Sequence, residues 1–292
     1  MRIFQVFQVV ILLQLFFIPT TISAETPQPK QMKIHFIDVG QGDSTLIETP
    51  GKKNILIDAG PPRAGKDVVE FLKARGIKKI DLLIATHPDI DHIGGLPTVM
   101  KSFKIDKALD SGKLHSTKTY VRYINQIHKH KIPVNIAKQG DVVDVDPLVD
   151  ISVLNSYEEH KNNNQSSIVL KVGYNEVDFL LMADAERGQE EQLMEQEKDV
   201  QSDIYKVGHH GSNTSTSYRF LNLVKPKVAI LTYSKMNHYG HPVDRVVGNL
   251  QRIHSMIYST AVYGDISIVT NGKGYFIFTE KSPMDGLTGK AG

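Results

Sequence analysis

The chain of 292 residues has no cysteine and no tryptophan, and its formal net charge is only +2 at pH 7. The absence of cysteine excludes disulfides, thiolate metal sites and a lipidated cysteine at a processing point, so any metal must sit on His, Asp, Glu or Asn. The near-balance of charge excludes a global field that gathers polyanions, so nucleic acid would have to be held by a local groove or by metal ions. Internal repeats and low-complexity blocks are also missing. What remains is 40% hydrophobic and 23% charged residues, an ordinary globular composition in a chain long enough to close a core without staples.

Residues 1–24 read as an export signal. Arg2 gives a positive start, Val6 to Ile18 is almost continuously apolar, and Ser23-Ala24 offers a small residue before a cut. An uncleaved anchor is the alternative, because the apolar run is a little short for a spanning helix. The body faces outside in both cases, as a secreted protein or one anchored at the outer face of the membrane. Residues 25–31 form a polar linker, 32–280 the folded domain, and 281–292 a Gly-rich tail expected to be mobile.

Apolar runs in the body predict strands over Lys33–Val39, Thr45–Glu48, Asn54–Ala59 and Ile80–Ala85, the last running into Thr86. Helical spacing predicts helices over Asp67–Arg75, Thr117–His130, Ala185–Glu197, Ser215–Val224 and Val243–His254. Further strands are expected near Ser167–Val172, Val177–Met182, Val228–Leu231 and Ile266–Thr270. The succession favours an α/β fold with strand layers covered by helices on their outer faces.

The most informative stretch is Thr86-His87-Pro88-Asp89-Ile90-Asp91-His92-Ile93-Gly94-Gly95, with four metal-capable side chains in six positions where an apolar strand ends. In an extended loop, alternation turns His87, Asp89 and Asp91 to one side, and His92 joins them as the chain turns. The competing explanation is a polar loop whose carboxylates cap the next helix.

This pattern resembles the metallo-beta-lactamase superfamily, with Asp89 in place of the usual second histidine. The departure is common in the branch formed by the nuclease-like domain of ComEC DNA-uptake proteins, and other segments are similar to it in order. They are Phe36 to Ser44, Leu56 to Gly60, Ser166 to Leu170, Leu181 to Glu186, Lys206 to Ser212, and Asn237 to Pro242. The resemblance implies a four-layered alpha-beta-beta-alpha sandwich and hydrolysis with two divalent metal ions, zinc or manganese.

Carried over by position, the resemblance puts His87 and Asp89 on one metal, Asp91 and His92 on a second, and Asp184 between them. His210 is favoured as a further ligand and His209 as a substrate contact, with the reverse assignment open. His241 is expected near a substrate phosphate at a helix start. Asp38, Asp43, Asp58, Ser212 and Asn237 are expected to orient ligands or meet substrate. The superfamily's third histidine for the first metal has no clear counterpart, since the stretch before Ile168 offers His160, Asn162, Asn163, Asn164 and Ser166.

The substrate implied is DNA or another phosphodiester polymer. The alternatives are cell-surface polymers or choline phosphate, a small lactone, and a binding module without catalysis. Basic residues at Lys73, Arg75, Lys78, Lys79, Lys101, Lys104, Lys107, Lys118, Arg122, Lys129 and Lys131 would track a backbone if they lined one groove. Tyr120 and Tyr123 would stack on bases unless they belong to the core. Nothing in the sequence points to a stable protein partner.

Overall fold

The computed structural model describes residues 30–158 and 161–283. The segment expected to be an export signal, most of the expected linker and tail, and His160 lie outside the described residues. In chain order the strands of the first half are β1 (Met32–Phe36), β2 (Thr45–Glu48), β3 (Asn54–Ile57), β4 (Lys79–Ile80), β5 (Leu82–Ala85), β6 (Lys104–Ile105), β7 (Ala108–Asp110) and β8 (Val134–Ile136). Those of the second half are β9 (Asp150–Asn155), β10 (Val169–Tyr174), β11 (Val177–Leu181), β12 (Ile204–Lys206), β13 (Val228–Leu231), β14 (Met256–Ser259), β15 (Ile266–Thr270) and β16 (Tyr275–Thr279).

Two sheets form, with orders β16-β15-β1-β2-β3-β5-β7-β8 and β14-β13-β12-β11-β10-β9; β4 and β6 make a separate pair. Strand alternation builds the layers. In β3 and β5, Ile55, Ile57, Leu82 and Ile84 enter the core between the sheets, where Leu170, Val172, Phe179 and Leu181 meet them from β10 and β11. Leu56, Leu83 and Ala85 point the other way, into a core shared with Val68 and Leu72 of the helix Gly65–Ala74 and Tyr123 of the helix Lys118–His130. On the far side, Leu180 and Tyr205 pack with Leu193, Phe220 and Leu250 from the helices Arg187–Glu195, Tyr218–Val224 and Asp244–Arg252. A side-chain period of two with apolar residues on both faces requires cover on both faces. The result is an alpha-beta-beta-alpha sandwich.

The sheets run parallel where chemistry gathers: β3 beside β5 in one, and β11, β12 and β13 in the other. The carboxyl ends of these strands carry Asp58, Thr86-His87, Asp184, His209-His210 and Thr232 to one edge of the sandwich. Open α/β sheets put their sites at such ends.

Some element bounds differ from the sequence reading. The expected strand Asn54–Ala59 stops at Ile57 because Asp58 takes a left-handed φ of 55°. The helix expected from Ala185 starts at Arg187, capped by Glu186 and Gln189 in a reciprocal capping box. Asp184 is therefore free of capping duty. His241 stands just before the helix Asp244–Arg252, whose entry residue Val243 gives its N–H to Gly211 O at 3.0 Å.

Candidate metal centre

The loop after β5 turns into a short helix, Ile90–Ile93, before Gly94 and Gly95. The glycine pair lets this loop sit against its neighbour: a Cβ on Gly95 would lie 2.1 Å from Ala59 O. His92 and Asp58 are thereby brought together. His92 Nδ1 donates to Asp58 Oδ2 at 2.8 Å, and the same carboxylate accepts from the Thr86 N–H at 2.9 Å and the Thr86 hydroxyl at 2.6 Å. His210 Nδ1 donates to Thr232 O at 2.8 Å. His87 Nδ1 lies 3.1 Å from Thr86 Oγ1. With each Nδ1 occupied, the three Nε2 atoms turn inward, the arrangement by which outer partners fix a histidine's tautomer and aim.

Asp184 lies between them. Its Oδ1 is 3.3 Å from His92 Nε2 and 3.5 Å from His210 Nε2, while Oδ2 is 3.9 Å from His87 Nε2 and 3.8 Å from His209 Nε2. Asp89 Oδ2 is 3.6 Å from His87 Nε2, and Asp91 Oδ2 is 3.5 Å from His210 Nε2. Two donor groups result, one around His87 and Asp89 and one around Asp91, His92 and His210, with one carboxylate facing both.

Of the eight buried side-chain polar atoms without a hydrogen-bond partner among the described residues, four are His87 Nε2, His92 Nε2, His210 Nε2 and Asp184 Oδ1. Orphaned buried polar atoms are costly, and four of them converging at one point make a donor set suited to a cation. The triads His87-His92-Asp184, Asp91-His92-His210 and Asp43-Asp184-His210 each bring ligand atoms within 4.8 Å of one another. The residues present fit divalent ions.

Electrostatics agree. Burial by itself would lower His210, but the carboxylates of Asp184 and Asp43 outweigh it and lift the imidazole to about 10. Asp184 is driven up by burial and pulled well below the usual carboxylate range by His210 and His92. The carboxylates thus set a negative field at the point where the imidazoles converge.

The other residues singled out in the sequence fall around this centre, with one exception. Asp43 pairs with Lys206 and accepts from the Thr232 hydroxyl at 2.5 Å. His209 Nδ1 is 3.0 Å from Thr214 Oγ1, and its Nε2 is 3.4 Å from Asn164 Nδ2. Ser212 takes the Thr214 N–H at 3.3 Å and so shapes the loop beneath His209. Asn237 ties down the segment bearing His241: its side-chain NH2 reaches His241 O at 2.7 Å, and its oxygen accepts the His241 N–H at 3.0 Å. The ring of His241 lies 5.7 Å from that of His209. Burial, then the neighbouring His209 and His210, push His241 down to about 4. Asp38 is the exception: its carboxylate accepts from Gly40 N at 3.1 Å and lies 3.8 Å from Lys281 Nζ, and no described bond joins it to the centre.

Lys206 escaped the sequence reading, and Asn163 was named there without a role. Lys206, only 2% exposed, neutralises Asp43 from the end of β12. Asn163 Nδ2 donates to Asp89 Oδ1 at 2.6 Å, and Ser167 Oγ lies 3.4 Å from His87 Nδ1. The polar run Asn162 to Ser167 was therefore a signal for contacts to the first donor group. Of the basic residues that would track a backbone if they lined one groove, Arg75, Lys78 and Lys79 border one hollow and Lys104 and Lys131 another, and neither hollow includes a donor residue. Tyr123 is core, with its hydroxyl on Asp110 Oδ2 at 2.9 Å.

The family model described as the metallo-beta-lactamase superfamily matches residues 37–234. The chain is 31% identical over 241 residues to ComE operon protein 3 of Bacillus subtilis, covering 77% of this chain and 31% of that protein. It is 30% identical over 223 residues to competence protein ComA of Neisseria gonorrhoeae, covering 75% and 29%. The chain thus spans about a third of the length of these relatives. Igni18, a metallo hydrolase from the hyperthermophilic archaeon Ignicoccus hospitalis, shares the fold with a TM-score of 0.53 at 15% identity, over 86% of this chain and all of that one. With the sandwich, the edge position of the centre and these matches in agreement, the chain belongs to the metallo-beta-lactamase superfamily of hydrolases and resembles its ComEC-like competence proteins.

Proposed function

We propose that the protein is a metal-dependent phosphodiesterase that cuts DNA outside the cell. The observation that carries the reading is the double donor group around Asp184, which opens into a hollow of about 150 Å³ lined also by Asn164, His209 and His241. Two divalent ions held there, zinc or manganese, would supply an activated water and positive charge for the phosphoryl oxygens. His87 and Asp89 would hold one ion and Asp91, His92 and His210 the other, with Asp184 facing both. Asp58 keeps His92 oriented and Thr232 O keeps His210 oriented, with Asp43 holding the Thr232 hydroxyl. His209 and His241 stand across the hollow, where an imidazole N–H can meet a non-bridging oxygen and stabilise added negative charge. No nucleophilic side chain is needed. The competence-protein relatives support DNA as the polymer, and the apolar segment Val6 to Ile18 supports export.

A second reading, hydrolysis of phosphodiesters in cell-surface polymers, draws on one observation: Arg75, Lys78, Lys79, Lys104 and Lys131 border hollows that hold no donor residue. The two are separated by assaying metal-loaded protein on single- and double-stranded DNA, methyl p-nitrophenyl phosphate and a lactone panel at several salt concentrations. DNA should be cut, at a rate that falls as salt rises because each phosphate contact releases counterions. The small diester should be cut slowly with little dependence on salt. Good turnover of the diester or a lactone with DNA left intact at low salt would sink the DNA reading.

A further inference from the structure

Beside the hollow over the donor groups lies a second one of about 510 Å³, and the two share Gln41, Asp91 and Tyr239 in their walls. A space of that size holds a small organic group. Its surface is unusual for a soluble protein. Tyr239 is 69% exposed, Met236 84% and Ile90 54%, and all three line this hollow. Singly exposed apolar residues need no explanation, but adjoining ones at the mouth of a site do. The Tyr239 ring is already fixed in orientation, stacked on His241 at 5.5 Å and 25°. It therefore presents a flat face without the entropy cost of ordering a mobile ring.

One charge in this wall stands alone. Arg63 is exposed, with its guanidinium over Gly40, and among the described residues it has no carboxylate partner. An unpaired guanidinium selects an anion and repels a quaternary ammonium, so a choline-type group is disfavoured here. A flat apolar face next to an unpaired cation and a phosphodiester-cutting centre matches one chemistry: a nucleobase with the phosphate that follows it.

We propose that this second hollow is a nucleotide subsite, in which Tyr239 stacks on the base adjoining the cut phosphodiester and Arg63 holds the next phosphate along the strand. The proposal rests on the DNA reading above. Sequence selectivity is not implied, since every base has a π-face.

The test compares kcat/KM for a short single-stranded oligonucleotide and for methyl p-nitrophenyl phosphate, which has no base. Stacking is worth about 1–3 kcal/mol per base, so Tyr239→Ala should lower the oligonucleotide-to-ester ratio roughly 5- to 150-fold. Tyr239→Phe should restore it, and Arg63→Gln should lower it while flattening the salt dependence. A phosphorothioate strand carrying 2-aminopurine gives a readout apart from turnover, its fluorescence quenched on binding to wild type and much less so on Tyr239→Ala. An unchanged ratio and unchanged quenching in Tyr239→Ala would overturn the subsite, and so would a loss that Tyr239→Phe does not repair. If wild type cuts the ester but neither binds nor cuts the oligonucleotide, the DNA reading itself has failed.

Discussion

Asp58 is the residue on which the aim of His92 depends. It is completely buried, and its two oxygens take three hydrogen bonds, from Thr86 N, Thr86 Oγ1 and His92 Nδ1. An outer partner of this kind changes metal affinity about 10- to 100-fold when removed. Asp58→Asn keeps the shape but sets an amide against the His92 N–H, so metal affinity measured by competition with a chelator should fall by that factor. Wild-type affinity in Asp58→Asn would mean that the residue, with its left-handed φ of 55°, only shapes the turn after β3. The metal-capable side chains themselves were legible because four stand within six positions. Lys206 was not. A lysine after Ile204 and Tyr205 reads as the solvent side of a strand, and only the arrival of Asp43 from a distant turn lets it be buried.

Elements deliver the donors through strained strand ends. Asp58, Ala183, His209 and His210 all have φ between 46° and 55°, a left-handed region that costs a non-glycine residue roughly 1–2 kcal/mol. Each lies at or beside a donor or its support, so the strain is concentrated where side chains must be aimed sharply. Ala183→Gly removes a Cβ penalty next to Asp184 at the cost of backbone freedom in the unfolded chain. The net expectation is a rise in Tm of about 1–4 °C together with a lower kcat, as Asp184 loses its fixed direction. Paired thermal melts and rate measurements check this, and a variant that gains stability with full kcat would show that the strain has no role in aiming. These left-handed ends also explain where element reading fell short. Strands such as Thr45–Glu48 and Val228–Leu231 coincide with their apolar runs, whereas the expected strand Asn54–Ala59 overran a turn that no propensity announces. The edge strand Val134–Ile136 was missed because its apolar-polar-apolar pattern is only three residues long and all three are exposed.

Across the whole molecule, the layered fold was readable because strands with apolar residues on both faces demand two layers of cover, and the ordered motifs gave the layers their family. What the sequence does not show is the meeting of the halves. His87 and His92 come from the sheet containing β5, while Asp184 and His210 follow β11 and β12 of the other, so neither sheet holds a full donor group. Contacts between segments far apart in the chain form late, since their loop-closure cost comes before their gain. Cation uptake is then a clock for the last step of assembly. During refolding with a fluorescent metal indicator, the far-UV signal should recover first and the indicator should respond afterwards, with the lag set by docking of one sheet on the other. An indicator response that runs ahead of secondary structure would instead make the ion a nucleus around which the two halves collect.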